Sequence, residues 1–223
     1  MRQGRAVRTR ESLIRAAADA FDTAGFEATS LGRICAEAGT SMGALTFHFR
    51  SKAALADAVQ QHGIALTGEV VQRIFRTRQP ALETIIVITL AVVDLLEDSS
   101  VVRAAARLSR ERVTTTVPWS SSWLPVVEDL VTRVPVETLS PGTHPRALLS
   151  LVSHLVTGAE VLVHTGGEAA GPEHIRAVTR VAEIWELTLR GVSPTVRLPQ
   201  QRRAGARTRS APGQAQAVEG GAV

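Results

Sequence analysis

The 223-residue sequence predicts an all-α fold, with a small N-terminal three-helix unit followed by a larger C-terminal helical body. Three observations carry the prediction. Apolar residues recur at three- and four-residue spacing along most of the chain, the period of a helix with one buried face. The two-residue alternation of a strand persists nowhere, and no internal repeat is visible. Glycines and prolines such as Gly25, Gly39, Pro80, Pro135 and Pro141 punctuate the periodic blocks. Hydrophobic residues make up 44% of the chain, enough for a sizeable core.

The elements follow in order. Residues 9–24, TRESLIRAAADAFDTA, set Leu13, Ile14, Ala17, Ala18 and Phe21 on one face, with Thr9 as N-cap and Gly25 as the stop. Thr29 or Ser30 caps a second helix, LGRICAEA, which Gly39 ends. Ser41 caps a third, very short helix to about His48. Ser51 opens a long fourth helix to about Arg76, in which Gly63 and Gly68 either soften the helix or permit close packing. Five further helical blocks span roughly 80–98, 100–112, 122–134, 144–165 and 171–191, with Pro172 in the first turn of the last. TGGEAAGP at 165–172 reads as the turn between the last two; no lysine follows it and no strand precedes it, so it is not a phosphate loop. From Ser193 the chain is rich in Pro, Gly, Gln and Arg, which predicts a disordered basic tail. The expected domains are therefore residues 1–50, 51–192 and a tail of 193–223.

Charge is uneven along this plan. Residues 1–52 carry eight Lys/Arg against five Asp/Glu, and residues 192–223 carry five against one, whereas the middle is mildly acidic. Basic ends suit an acidic partner such as nucleic acid, and a solvated basic tail is equally ordinary. Arginine accounts for 24 of the 25 basic residues, so its abundance at any one site says little. The single cysteine, Cys35, excludes an internal disulfide and is expected as a small buried packing residue. The N-terminus lacks an apolar secretory segment and no run of eighteen apolar residues occurs, so a cytoplasmic protein with no membrane partner is expected. The six histidines form no ligand pair at i,i+4, and no nucleophile–base or paired-carboxylate set stands out, so neither a metal, a cofactor nor a catalytic set is expected.

The stretch AGTSMGALTFHFRSK, residues 38–52, holds the most specific signal. Two short helices joined by a tight glycine-containing turn have the layout of a helix-turn-helix, whose second helix enters the DNA major groove. Gly43 and Ala44 allow close approach to the bases, Leu45 and Phe49 face inward as anchors, and Thr46, Phe47 and His48 face the groove. Lys52 supplies a cation at the start of the next helix, where phosphate is favoured. With Ser30, Thr40, Ser41 and Met42 these residues form the expected DNA-binding set.

Residues 9–55 resemble the DNA-binding region of the tetracycline-repressor (TetR) family, on GFEATS at 25–30, ICAEAGTSMGALTFHF at 34–49 and RSKAAL at 50–55. The resemblance implies an all-helical homodimer whose larger domain binds a small molecule that releases it from operator DNA. Three positions depart from the family pattern: Thr46 stands where tyrosine is usual, Met42 where lysine is frequent, and Thr40 where the turn is usually apolar. Each loss of a phosphate contact lowers affinity for all sequences alike. SVVRAAARLSRE (100–111), the Pro118–Trp123 segment and AEIWELTLRGVSP (182–194) are further similar to the γ-butyrolactone autoregulator receptors of actinomycetes. That narrower resemblance implies a lactone pocket lined by Trp123, with Trp119 beside it.

Trp119, Trp123 and Trp185 are all the tryptophans, each either core packing or ligand wall; an indole offers a flat apolar face and one N–H donor. Val87, among the aliphatic residues of 85–96, and His154 complete the expected ligand set. Blocks 144–165 and 171–191 are apolar on more than one face and so need two partners, the chain's own core and a second copy. The function expected is a dimeric repressor of a pseudo-palindromic operator, released by a small apolar molecule such as a γ-butyrolactone. Its alternatives are a pseudo-receptor answering to an antibiotic or biosynthetic intermediate, a helical enzyme acting on a small apolar substrate, and a non-specific nucleic-acid binder working through its tail.

Overall fold

The computed structural model describes residues 2–111, 117–166 and 175–192, with side chains for all of these except residues 2, 3, 165, 166 and 192. The expected tail, Pro172 and most of the TGGEAAGP segment lie outside the described residues. The fold is all-α. Helices α1 (Arg2–Ala28), α2 (Leu31–Glu37) and α3 (Met42–His48) form the head; α4 (Lys52–Phe75), α5 (Ala81–Asp98), α6 (Ser100–Arg110), α7 (Leu124–Thr132), α8 (Pro145–Gly166) and α9 (Ala177–Val192) form the body, with a short 3-10 turn at Trp119–Ser122.

The helix ends are set largely by local chemistry. Ser30, Ser41, Ser51 and Ser99 each accept a hydrogen bond from the backbone N–H three residues on, capping α2, α3, α4 and α6. Gly25 breaks the α-helical run with φ 77° and ψ 174°. Thr9 is not a cap: α1 begins at Arg2, and the Thr9 hydroxyl donates back to the Arg5 carbonyl at 3.0 Å. The preceding residues include Arg2, Gln3, Arg5, Ala6 and Arg8, which are good helix formers, so nothing stops the helix at Thr9. The last helix starts at Ala177, later than the expected residue 171, because its cap comes from far away in sequence. The Glu97 carboxylate accepts from the Ala177 and Val178 N–H groups at 2.6 and 3.2 Å. Arg176 joins the same cluster through Asp98 (2.8 Å) and Asp94 (3.3 Å).

Two apolar cores result. The smaller unites α1, α2 and α3 around Leu13, Phe21, Ile34, Leu45 and Phe49, and reaches past residue 50 to Leu55 and Val59 of α4 and Ala104 and Leu108 of α6. The larger gathers α5, α7, α8, α9 and the tryptophans, with Val71 of α4 and Val102 and Ala105 of α6. Helices α4 and α6 therefore belong to both cores. They pack tightly at Gly63, where an added Cβ would lie 2.4 Å from the Ala105 Cβ and 2.9 Å from the Val101 carbonyl oxygen. Gly63 permits close packing, while Gly68 faces open space. Helix α8 departs from one expectation: Pro145–His164, at mean hydropathy 1.5, is long and apolar enough to cross a membrane by length and composition. It nevertheless buries Leu148, Val152, Val156 and Ala159 in the larger core, and pairs its Glu160 with Arg110.

Candidate nucleic-acid interface

Helix α3 is held from behind and bare in front. Leu45 and Phe49 are buried in the head core, and Arg10 of α1 lies 5.4 Å from the Phe49 ring centroid. The turn from α2 passes through Gly39 at φ 61°, and the Thr40 N–H closes it onto the Cys35 carbonyl at 3.0 Å. Cys35 itself is buried and packs as expected. Ser12 of α1 secures the end of α2 by donating to the Ala38 carbonyl at 3.3 Å. The outward face then presents Met42, Gly43, Thr46 and Phe47, with Phe47 at 82% exposure and its ring edge-on to His48 at 5.1 Å. The Thr46 hydroxyl donates to the Gly43 carbonyl at 3.1 Å, which leaves its oxygen free to accept. Ala44 and His48 are half-buried flanks, while Ser30, Thr40 and Ser41 sit at the turn and helix starts.

Lys52 is the correction on this face. Its ammonium donates to the carbonyls of Phe26 (2.8 Å), Thr29 (3.0 Å) and Glu27 (3.4 Å) and lies 4.2 Å from the Phe26 ring centroid. All three of its protons are directed at the carbonyl end of α1, so in this structure its ammonium fixes the head. Thr29, the other cap candidate, is buried, with its hydroxyl donating to the Gly25 carbonyl at 2.7 Å.

The ligand-set residues divide. Trp119 and Trp123 are buried edge-to-face neighbours, centroids 6.2 Å apart, and Trp185 is fully buried in the same core. Trp119 Nε1 donates to Thr67 at 3.0 Å, whereas the buried Nε1 groups of Trp123 and Trp185 have no partner among the described residues. Val87 is half-buried on α5. His154 is not with them: it is exposed on α8, its Nδ1 2.6 Å from the Ser150 carbonyl one turn back. Its register, two residues from Val152 and Val156, turns it away from the face those residues bury.

One constellation escaped the sequence reading. Arg103 and Arg107 of α6 grip the end of α1: Arg103 pairs with Asp22 at 2.7 Å, and Arg107 donates to the Asp22 carbonyl at 2.7 Å. Glu111 pairs with Arg107 and accepts from the Phe26 N–H at 3.1 Å. Arg110 pairs with Glu160, and His164 Nδ1 lies 3.7 Å from Asp22. Burial pushes the Glu160 carboxyl up against the opposing pull of Arg110, and holds His164 below its usual value despite Asp22. The signal was Arg103, Arg107 and Arg110 at i, i+4 and i+7, one charged stripe on an otherwise apolar helix.

Fold and face together define the class: a helix-turn-helix head of the kind that docks in a major groove, carried on an all-helical body. Residues 13–59 match the bacterial regulatory proteins of the tetR family, so the head is similar to the DNA-binding region of that family. It is 33% identical over 112 residues to the A-factor receptor protein of Streptomyces griseus, a match spanning 50% of this chain and 38% of that protein. Its fold matches the crystal structure of a gamma-butyrolactone receptor (ArpA-like protein) with TM-score 0.71 and 27% identity, over 86% of this chain and 91% of that one. It also matches CprB from Streptomyces coelicolor, solved in complex with its operator sequence, with TM-score 0.64 and 27% identity over 90% and 94% of the two chains.

Proposed function

We propose that this chain is a ligand-responsive transcriptional repressor, binding a pseudo-palindromic operator as a homodimer and released by a small apolar signal such as a γ-butyrolactone. Residues 1–50 are the reading head, 51–192 the ligand-binding and dimerisation body, and 193–223 a basic tail. The protein acts in the cytoplasm and turns over no substrate. The observation that carries this reading is the exposed, open face of α3, mounted on a head whose core is shared with the body through α4 and α6. The resemblances to an A-factor receptor and to gamma-butyrolactone receptors support the ligand class.

On this reading Trp123 and Trp185 supply the effector core, since each has a buried N–H without a partner that a lactone carbonyl could accept. Trp119 stands between that core and the head. Its backbone N–H donates to Ser109 of α6 at 2.8 Å, while its indole holds Thr67 of α4. A ligand that moves the tryptophan pair thus moves both helices that carry the head, and a conformer with misplaced heads gains population. Leu187 and Ile184 of α9, exposed at 66% and 41%, and the outer side of α8 form the face that a second copy covers.

The experiment is anisotropy of the purified chain on a duplex from its own upstream region against a scrambled duplex, across a salt series. A preference of about a thousandfold or more is expected. A γ-butyrolactone is expected to release the complex, and Trp123→Ala to keep operator binding while losing release. Equal affinity for both duplexes would refute the reading.

A further inference from the structure

The charged and amide side chains that read guanine or adenine bidentately are missing from α3, whose polar side chains are Thr46 and His48. Met42–His48, MGALTFH, contains no Arg, Lys, Asn, Gln, Asp or Glu. Arg or Lys is what recognises guanine bidentately, and Asn or Gln does so for adenine. The nearby Arg33 of α2 is occupied by Glu37 at 2.9 Å. What the face does offer is the Phe47 ring at 82% exposure, the Met42 side chain at 44%, and the uncovered backbone at Gly43. Gly43 and Phe47 are one turn apart on a common face, so the ring stands beside the strip of backbone that can come closest to the bases.

Among the base edges of the major groove, only the thymine C5-methyl is a target for an apolar side chain; every other distinguishing group is a hydrogen-bond donor or acceptor. We propose that Phe47, with Met42 beside the turn, is the specificity-determining group of this head and reads thymine methyl groups in each half-site. Gly43 gives the ring its access. The inference rests on the operator reading above. It assigns the head a preference that comes from methyl burial, whereas contacts to phosphate would set overall affinity and the salt slope.

The test uses the full chain to select duplexes from a randomised pool at about 150 mM salt. The retained duplex is remade with deoxyuridine in place of thymidine, one position at a time, which removes the methyl and leaves pairing intact. At one or two positions in each half-site, uracil is expected to weaken binding about fourfold, the factor that corresponds to burying one methyl group. Phe47→Ala is expected to bind the thymine and uracil duplexes equally, with an unchanged salt slope, and Phe47→Leu to keep part of the discrimination. Phe47 is exposed, so neither variant removes core. If uracil costs nothing anywhere while the selected duplex still beats a scrambled one, the thymine inference falls and the operator reading stands. A uracil penalty that persists undiminished in Phe47→Ala belongs to the duplex and equally overturns it. If no duplex is enriched, the operator reading itself fails.

Discussion

Gly63→Ala is the sharpest mechanical test, because the structure predicts a sign opposite to the one helix propensity gives. Alanine in a helix interior is favoured over glycine by about 1 kcal/mol. At Gly63, however, the new methyl would sit 2.4 Å from the Ala105 Cβ and 2.9 Å from the Val101 carbonyl oxygen. Carbon atoms rest near 3.5–4.0 Å, so α4 and α6 must separate by roughly 1 Å or more at their crossing. Overpacking of this kind costs typically about 1–3 kcal/mol, and here the obstruction is backbone and a helix methyl, neither of which can swing aside. The net expectation is a loss of about 1–2 kcal/mol, or roughly 2–8 °C in Tm for a chain of this size. Gly68→Ala, five residues on and facing open space, is the control and should gain up to about 1 kcal/mol. Thermal and urea unfolding of the two variants side by side give the answer. If Gly63→Ala proves as stable as Gly68→Ala, the close α4–α6 crossing is wrong, and a flexible hinge at Gly63 becomes the better account of this glycine.

Three other perturbations probe the ties between head and body. Asp22→Asn leaves the half-buried Arg103 guanidinium with only the Leu96 and Glu97 carbonyls, and should cost about 1–3 kcal/mol in urea unfolding; no loss would make the ion pair incidental. Lys52→Met should destabilise the head, since three carbonyls of the α1 end lose their donor, yet leave the salt dependence of DNA binding unchanged. A salt slope smaller by about one would instead return Lys52 to the phosphate backbone. His164 has its folded pKa lowered by burial, so the unfolded chain binds its proton more tightly and stability falls as pH drops below 6.5. Glu160, raised from 4.5 by burial, acts in the opposite sense, its contribution fading as pH rises above that value. His164→Asn should therefore flatten the acid-side loss of stability between about pH 7 and 5.5, and an unaltered profile would show that His164 does not titrate differently on folding.

What was legible in the sequence was whatever is written locally. Ser30, Ser41 and Ser51 announce helix starts because a cap needs only the next three residues, and Gly25 and Gly39 announce stops because their positive φ is a property of the residue itself. Leu45 and Phe49 showed as the anchors of α3 through spacing alone, which left Phe47 facing out. Thr9 failed as a cap for a local reason, the helix-forming residues before it; the other failures are long-range. The start of α9 is set by Glu97, 80 residues earlier, and nothing near Ala177 advertises it. Lys52 read as a free cation because its three carbonyl partners lie 23 to 26 residues upstream. His154 shares helix and period with buried neighbours, and only the packed structure shows which side of α8 it is on.

The same distinction bears on how the body could govern the head. Helix α4 follows the head directly and is the obvious lever between head and body. In the structure α4 cannot act alone. Ala104 and Leu108 of α6 lie in the head core while Val102, Ala105 and Ala106 lie in the body core, so α6 is split between the two as α4 is. Arg103 and Arg107 then bind α6 to the end of α1 through Asp22, a second attachment besides the covalent joint at Ser51. A head carried by two helices shifts its orientation when one support moves relative to the other, and keeps it only when both move together. The two supports are tightly packed at the Gly63 crossing, and Trp119 is bonded both to Ser109 of α6 and to Thr67 of α4. For that reason Gly63→Ala should change operator affinity as well as stability, whereas Asp22→Asn, which frees only the α6 support, should weaken the link between ligand and DNA without removing either binding site.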